Sequence, residues 1–253
     1  MDETAVKRIL LGFEKKVSKN QEMRIKFPDQ PDKFMMSEME LHDVVRELQN
    51  VSTVPHFYPI MVELNCVSTL LGLLAHDNTD LAVAAVEVLQ ELTDVDTMQE
   101  SEEGAEALLE SLLANQCCSL MVTNMERLDE TVKEEAEGVH NTLAIVENLV
   151  ELKPEICKDV AEAGFMNWLV KKLKVKVQFD ENKLYASEIL SILLQTEPDN
   201  RQQEDVWRTE CHRQSSTAGN ISSHSSFGNL IKIFHYSWLT TRDTTQPSVR
   251  KWR

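Results

Sequence analysis

Acidic and amide side chains at helical spacing are the residues of this chain best placed to do chemistry, and that chemistry is the recognition of cations and of peptide backbone. Three segments each set four residues at i, i+4, i+7 and i+11, which is one face of a helix. They are Asp80, Ala84, Glu87 and Glu91; then Glu137, Asn141, Ala144 and Asn148; then Glu181, Tyr185, Glu188 and Ile192. Carboxylates at such positions pair with Lys or Arg, and the amides of Asn141 and Asn148 can bond the main chain of an extended peptide. The candidate partner-binding residues are therefore Asp80, Glu87, Glu91, Glu137, Asn141, Asn148 and Glu188. An ordinary solvated helix face is built from the same residue types.

Covalent and acid–base chemistry has no comparable support. The chain has no Gly-rich phosphate loop, no G-x-S-x-G, no H-E-x-x-H and no Asp-rich calcium loop. His140, beside Asn141 in a helical segment, reads as a hydrogen-bonded groove or core residue rather than a base. The five cysteines are Cys66, Cys117, Cys118, Cys157 and Cys211, an odd number without a Cys-x-x-Cys. That pattern is neither a disulfide framework nor a zinc site, and it suits a reducing compartment. No catalytic activity, no cofactor and no metal are expected.

The elements that must carry these residues are helices. Seven glycines and seven prolines are few for 253 residues, whereas hairpins and tight turns consume both. Residues 4–19 read as an amphipathic helix with Val6, Ile9, Leu10 and Phe13 in its stripe. The two prolines of 27–34 read as a turn-rich connection, and Ser37 with Glu40 as the capping box of a second helix running to Val51. From Pro55 onward a short, a medium and a long helix follow one another, the long one starting near Thr79. The same order recurs at 104–114, 116–128 and 131–152, and again at 154–163, 164–176 and from Asp180 to Gln195. Leu89, Val146 and Leu190 align as core positions of the long helices, as do Leu92, Leu149 and Leu193.

Such triplets cannot bury their apolar faces singly, and stacking makes one continuous core. The expected fold is all-α, an armadillo-type right-handed helical solenoid with a largely disordered C-terminal tail. It divides into an N-terminal helical pair (1–53), about three triplets (54–201) and a divergent Ser/Thr-rich tail (202–253). In stacked triplets the third helices line the concave surface, where the ladder above would form an acidic groove. The basic run KKLKVK (171–176) could be read as a nuclear address but fits a helix end better, where cations complement the dipole.

Charge points the same way. The formal net charge is −16; residues 204–253 hold four acids and seven bases, which leaves −19 on residues 1–203. A body that acidic repels phosphate backbones, so direct nucleic-acid binding is not expected, and it suits basic protein partners. No run approaches the roughly 18 apolar residues of a membrane span.

Several stretches are too long and too particular to be helix filler: NQEMRIKFPDQPDKFMMSEMELHDVV (20–45), LLGLLAHDNTD (70–80), ELTDVDTMQESEEGAE (91–106), VKEEAEGVHNTLAIVENL (132–149) and KLYASEILSILLQ (183–195). Over roughly residues 1–201 the chain resembles the beta-catenin-like family of armadillo proteins. The resemblance implies a nuclear protein associated with the spliceosome in pre-mRNA splicing. It also implies partners with basic, nuclear-localisation-like segments, namely splicing factors and an antibody-diversifying cytidine deaminase. Against that family, this chain begins after the extension that carries the localisation signal and departs near Gln202, as a truncated or alternatively terminated form would. Cytoplasmic retention is the alternative location. The alternative function is a structural or regulatory fragment that binds partners weakly and self-associates through an apolar end exposed after Leu194.

Overall fold

The computed structural model describes residues 1–174 and 180–196, the last two by main chain only. The tail 202–253, Cys211 within it and the end of the basic run beyond Lys174 lie outside the described residues, as does the chain that follows Thr196.

Helix α1 (Glu3–Lys26) starts at Asp2, whose carboxylate accepts from the Ala5 amide at 2.7 Å. It runs about two turns past the expected end. Nothing breaks a helix before Pro28, and Asn20 occupies the next core-facing position after Val17 although it is polar. Helix α2 (Pro31–Glu47) corrects the expectation for 27–37. Pro31 occupies the first turn, where its missing N–H breaks no helical bond, so the helix begins six residues before Ser37. Ser37 is no cap. It is buried, donates to the Phe34 carbonyl at 2.6 Å, and accepts from Asn20 Nδ2 at 3.0 Å. Glu40 instead bridges Lys16 at 2.8 Å and Lys19 at 2.7 Å, which joins α2 to α1.

After α3 (Gln49–Ser52) and a 3-10 turn at Pro55–Phe57 come α4 (Tyr58–Glu63) and α5 (Cys66–Gly72), the latter prolonged by the 3-10 turn Leu73–Ala75. Helix α6 (Thr79–Leu92) is followed by the short α7 (Val95–Met98), then α8 (Glu102–Ala114), α9 (Cys117–Arg127) and the long α10 (Lys133–Leu152). A 3-10 turn at Pro154–Ile156 leads to α11 (Cys157–Val160), a wide π turn at Ala161–Phe165, α12 (Met166–Lys174) and α13 (Glu181–Thr196). Asp180 caps α13 by accepting from the Lys183 amide at 2.7 Å. Lys171 and Lys172 of the basic run end α12 and pair with Glu126 and Glu130 of the preceding repeat.

One turn is built three times. Asn65 between α4 and α5 has φ 59°, Gln116 between α8 and α9 has φ 55°, and Gly164 between α11 and α12 has φ 108°. A left-handed residue folds each first helix back on its second. Only the last of the three is the residue that adopts this conformation without steric cost.

The long helices stack on one side: α6 packs between α2 and α10, and α10 between α6 and α13. On the other side α5 touches α1, α4 and α8, and α8 touches α9. This is an all-α, armadillo-like solenoid, and no strand occurs among the described residues. Leu89, Val146, Leu190, Leu92, Leu149 and Leu193 are all buried. Because α6 has a neighbour on each flank, nine of its fourteen residues are buried, and truncating one of its leucines should cost about 2–5 kcal/mol. Two glycines set how closely the helices approach. A Cβ on Gly138 of α10 would meet Val83 Cγ2 of α6 at 2.9 Å, and one on Gly104 of α8 would meet the Pro55 carbonyl oxygen at 2.1 Å.

Candidate partner-binding face

The stacked long helices bring together residues that are far apart in sequence. A groove of about 670 Å³ lies between α2, α6 and the start of α10. Leu81, Val83 and Ala84 of α6 line its base and are buried. Six carboxylates face it, those of Glu38, Asp43, Asp80, Glu87, Glu134 and Glu137, with Arg46 as its cation and His42 beside it. Not all six are free. Glu38 accepts from Arg24 and from Asn78 Nδ2 (3.1 Å), and Glu137 pairs with exposed Lys133 of its own helix at 3.4 Å. Asp43, Asp80, Glu87 and Glu134 have no cation within ion-pair distance among the described residues. Carboxylates in excess over the single Arg46 on a low-dielectric wall attract a cationic ligand from a distance and hold it by charge-assisted hydrogen bonds.

The rim at Asp80 is held by a relay of hydrogen bonds. Asn78 caps α6, its Oδ1 accepting from the Asp80 amide at 3.0 Å. The Asn78 amide in turn donates to His76 Nδ1 at 3.0 Å. An acceptor at Nδ1 leaves the proton on Nε2, which donates to Asn20 Oδ1 at 3.1 Å. Asn20 then donates to Ser37, and Ser37 to the Phe34 carbonyl. The side-chain polar atoms of Asn78, His76, Asn20 and Ser37 in this relay all have partners, so its buried positions carry no desolvation penalty of the unsatisfied kind. Burial, and secondarily the Arg24 charge, hold the His76 imidazole below its ordinary value of 6.5, which keeps the neutral tautomer the relay requires.

The expected residues divide into two groups. Asp80, Glu87 and Glu137 line the groove with Ala84, which is covered rather than open. Glu91, Asn141, Asn148 and Glu188 do not line it. Glu91 is half-buried, with the Ser52 hydroxyl 3.0 Å from its carboxylate, which ties it to α3. Asn141 and Asn148 are half-buried on α10. Glu188 stands on α13 near Glu147, and its carboxyl is pushed above its ordinary range by burial first and by the Glu147 charge second. Glu147 accepts from the Tyr185 hydroxyl, and the His140 ring lies 5.0 Å from the Tyr185 ring. His140 is thus a packing residue at the α10–α13 seam.

The profile of the family described as "Catenin-beta-like, Arm-motif containing nuclear" matches residues 1–206. The chain belongs to the catenin-beta-like family. It is 58% identical over 202 residues to the human protein named "Beta-catenin-like protein 1", and 57% identical over the same length to the mouse protein of that name. It is 34% identical over 193 residues to the "Beta-catenin-like protein 1 homolog" of Schizosaccharomyces pombe. These matches cover 80%, 80% and 76% of this chain and 36%, 36% and 34% of the relatives, so the chain spans about a third of their length. All residues of the candidate face fall inside the catenin-beta-like segment.

Sequence reasoning missed Asn78 at the start of α6 and Glu134 of α10, and above all the groove residues on α2 of this catenin-beta-like chain. Met35, Met39, His42 and Arg46 stand at the same i, i+4, i+7, i+11 spacing as the ladders on α6, α10 and α13. A helix that begins at Ser37 leaves out Met35, and the pattern is complete only with the start at Pro31. The paired methionines of MMSEM, out of phase with Phe34, Leu41 and Val45, were the available signal.

Proposed function

We propose that this chain is a non-enzymatic adaptor whose α2–α6–α10 groove holds basic, nuclear-localisation-like segments of other proteins. The observation that carries this reading is the set of four carboxylates, Asp43, Asp80, Glu87 and Glu134, that face one groove without cationic partners among the described residues. A nuclear location and an association with the spliceosome are part of the same proposal. They draw on the description of the family as nuclear and on the resemblance of the sequence, and splicing factors would then be the partners.

The test is titration of a fluorescently labelled Lys/Arg-rich peptide by fluorescence anisotropy. Replacing Asp80 and Glu87 together by Lys should weaken binding at least about tenfold, since close charge pairs at interfaces couple by about 1.5 kcal/mol or more each. The helical circular dichroism should not change. Wild-type affinity in the doubly substituted, folded protein would remove the groove from the reading.

A further inference from the structure

We infer that the groove reads an apolar side chain in its partner as well as the cations, and that its preferred occupant is an extended basic segment of the pattern cation–x–apolar–x–cation. The inference rests on the adaptor reading above and specifies the ligand of the same groove. Its ground is an apolar wall that a purely cationic ligand would leave wet. Met35 and Met39 are 53% and 56% exposed, stand one helical turn apart, and line the groove from α2. Opposite them the base of the groove is Leu81, Val83 and Ala84. A single exposed methionine calls for no explanation, but two adjacent ones facing an apolar floor form a seat. The unbranched thioether adapts to whatever apolar shape enters, so the seat accepts Leu, Ile or Met rather than one of them alone.

Charge complementarity sets what surrounds the apolar side chain. The free carboxylates lie on α2 (Asp43), on α6 (Asp80, Glu87) and on α10 (Glu134), so acids stand on each of the helices that frame the seat. A ligand residue lying against the methionines therefore needs cations flanking it. In an extended peptide, residues two apart project to the same side, roughly 6.6–7 Å apart, and this spacing gives the stated pattern.

The experiment uses the full chain and two labelled peptides of equal length and charge, RKGLGKR and RKGSGKR. Wild type should bind the Leu peptide about tenfold more tightly, the part of a leucine's transfer energy that an open groove can recover. Replacing Met35 and Met39 together by Ser should reduce the Leu peptide to the affinity of the Ser peptide and leave the Ser peptide unchanged. Raising salt from about 0.15 M to about 0.5 M should weaken both peptides while preserving their ratio, because screening acts on the charges and not on the apolar contact. Equal wild-type affinity for the two peptides would overturn this inference and leave the basic-segment reading standing. Equal losses for both peptides in the methionine variant would also overturn it, by showing that the methionines only shape the groove. If neither peptide binds wild type, the adaptor reading itself fails.

Discussion

Alanine at Gly104 should destabilise the protein, whereas alanine at Gly12 should stabilise it. Both glycines sit in helices, Gly104 in the first turn of α8 and Gly12 within α1. In a helix the change from Gly to Ala gains about 0.5–1 kcal/mol from backbone entropy alone. At Gly12 nothing lies within 4 Å of the added carbon, so the full gain should appear. At Gly104 the added carbon would stand 2.1 Å from the Pro55 carbonyl oxygen and 2.9 Å from its carbon. Carbon and oxygen ordinarily approach to about 3.3 Å, so α8 and the Pro55 turn must separate by roughly 1.2 Å. Neither partner yields easily, since Pro55 is buried and its φ is locked by the ring. Overpacking of this kind costs about 1–3 kcal/mol, and a backbone obstacle places it at the upper end. The net expectation is a loss of about 2 kcal/mol at Gly104 against a gain of about 0.5–1 kcal/mol at Gly12. Urea denaturation followed by far-ultraviolet circular dichroism reads the two midpoints on the same transition. A Gly104→Ala midpoint at or above that of wild type would refute the account of how α8 docks.

Replacing His76 by Ala should cost about 1–2 kcal/mol near neutral pH, because the Asn78 amide and Asn20 Oδ1 both lose their partner. Since the folded imidazole titrates below its ordinary 6.5, its contribution is complete above that pH and is lost as pH falls further, so wild-type melting temperatures should decline below pH 6.5 and those of His76→Ala should decline less. Glu188→Gln should raise the urea midpoint slightly at pH 7, by less than about 1 kcal/mol for so exposed a group. The Glu188 carboxyl titrates above its ordinary 4.5 in the folded state, so the charged form opposes folding at neutral pH, and the advantage of Gln should vanish below pH 4.5. Gln116→Gly should stabilise the protein by about 1 kcal/mol in the same assay, by relieving a left-handed residue that carries a Cβ. An unchanged or lower midpoint for Gln116→Gly would show that the Gln116 side chain holds its turn for another reason.

The long helices were legible because their signals are local. The stripe of Leu81, Ala85, Val88, Leu89 and Leu92 and the Asn78–Thr79 start mark α6 without reference to anything distant. Asp80, Glu87 and Glu137 could be picked out for the same reason, as residues out of phase with the stripe of their own helix, but nothing local marks Glu91, Asn141, Asn148 and Glu188 as lying off the groove. Asn20 and Ser37 were not, because polar residues at core-facing positions break a hydrophobic pattern while satisfying each other across two helices. The left-handed Gln116 was not either, since Gln, unlike the Asn65 at the equivalent turn, has no special tendency to that conformation and the turn is imposed by the packing of the helices it joins. The groove was half legible. Which ladders face one another depends on α2 lying beside α6, a long-range contact with no trace in either segment, and so Met35 and Met39 entered only once the helices were stacked.

Four thiols among the described residues could serve as internal clocks of the molecule. Cys66 in α5, Cys117 and Cys118 in α9 and Cys157 in α11 are all shut away from solvent, and burial pushes the Cys66 thiol up to about 12. An alkylating reagent therefore reaches each one only when its own neighbourhood comes apart, and the rate at which it is tagged times that event. Because they lie in successive units of the stack, peptide-by-peptide tagging would tell whether the array unzips from one end or lets go all at once.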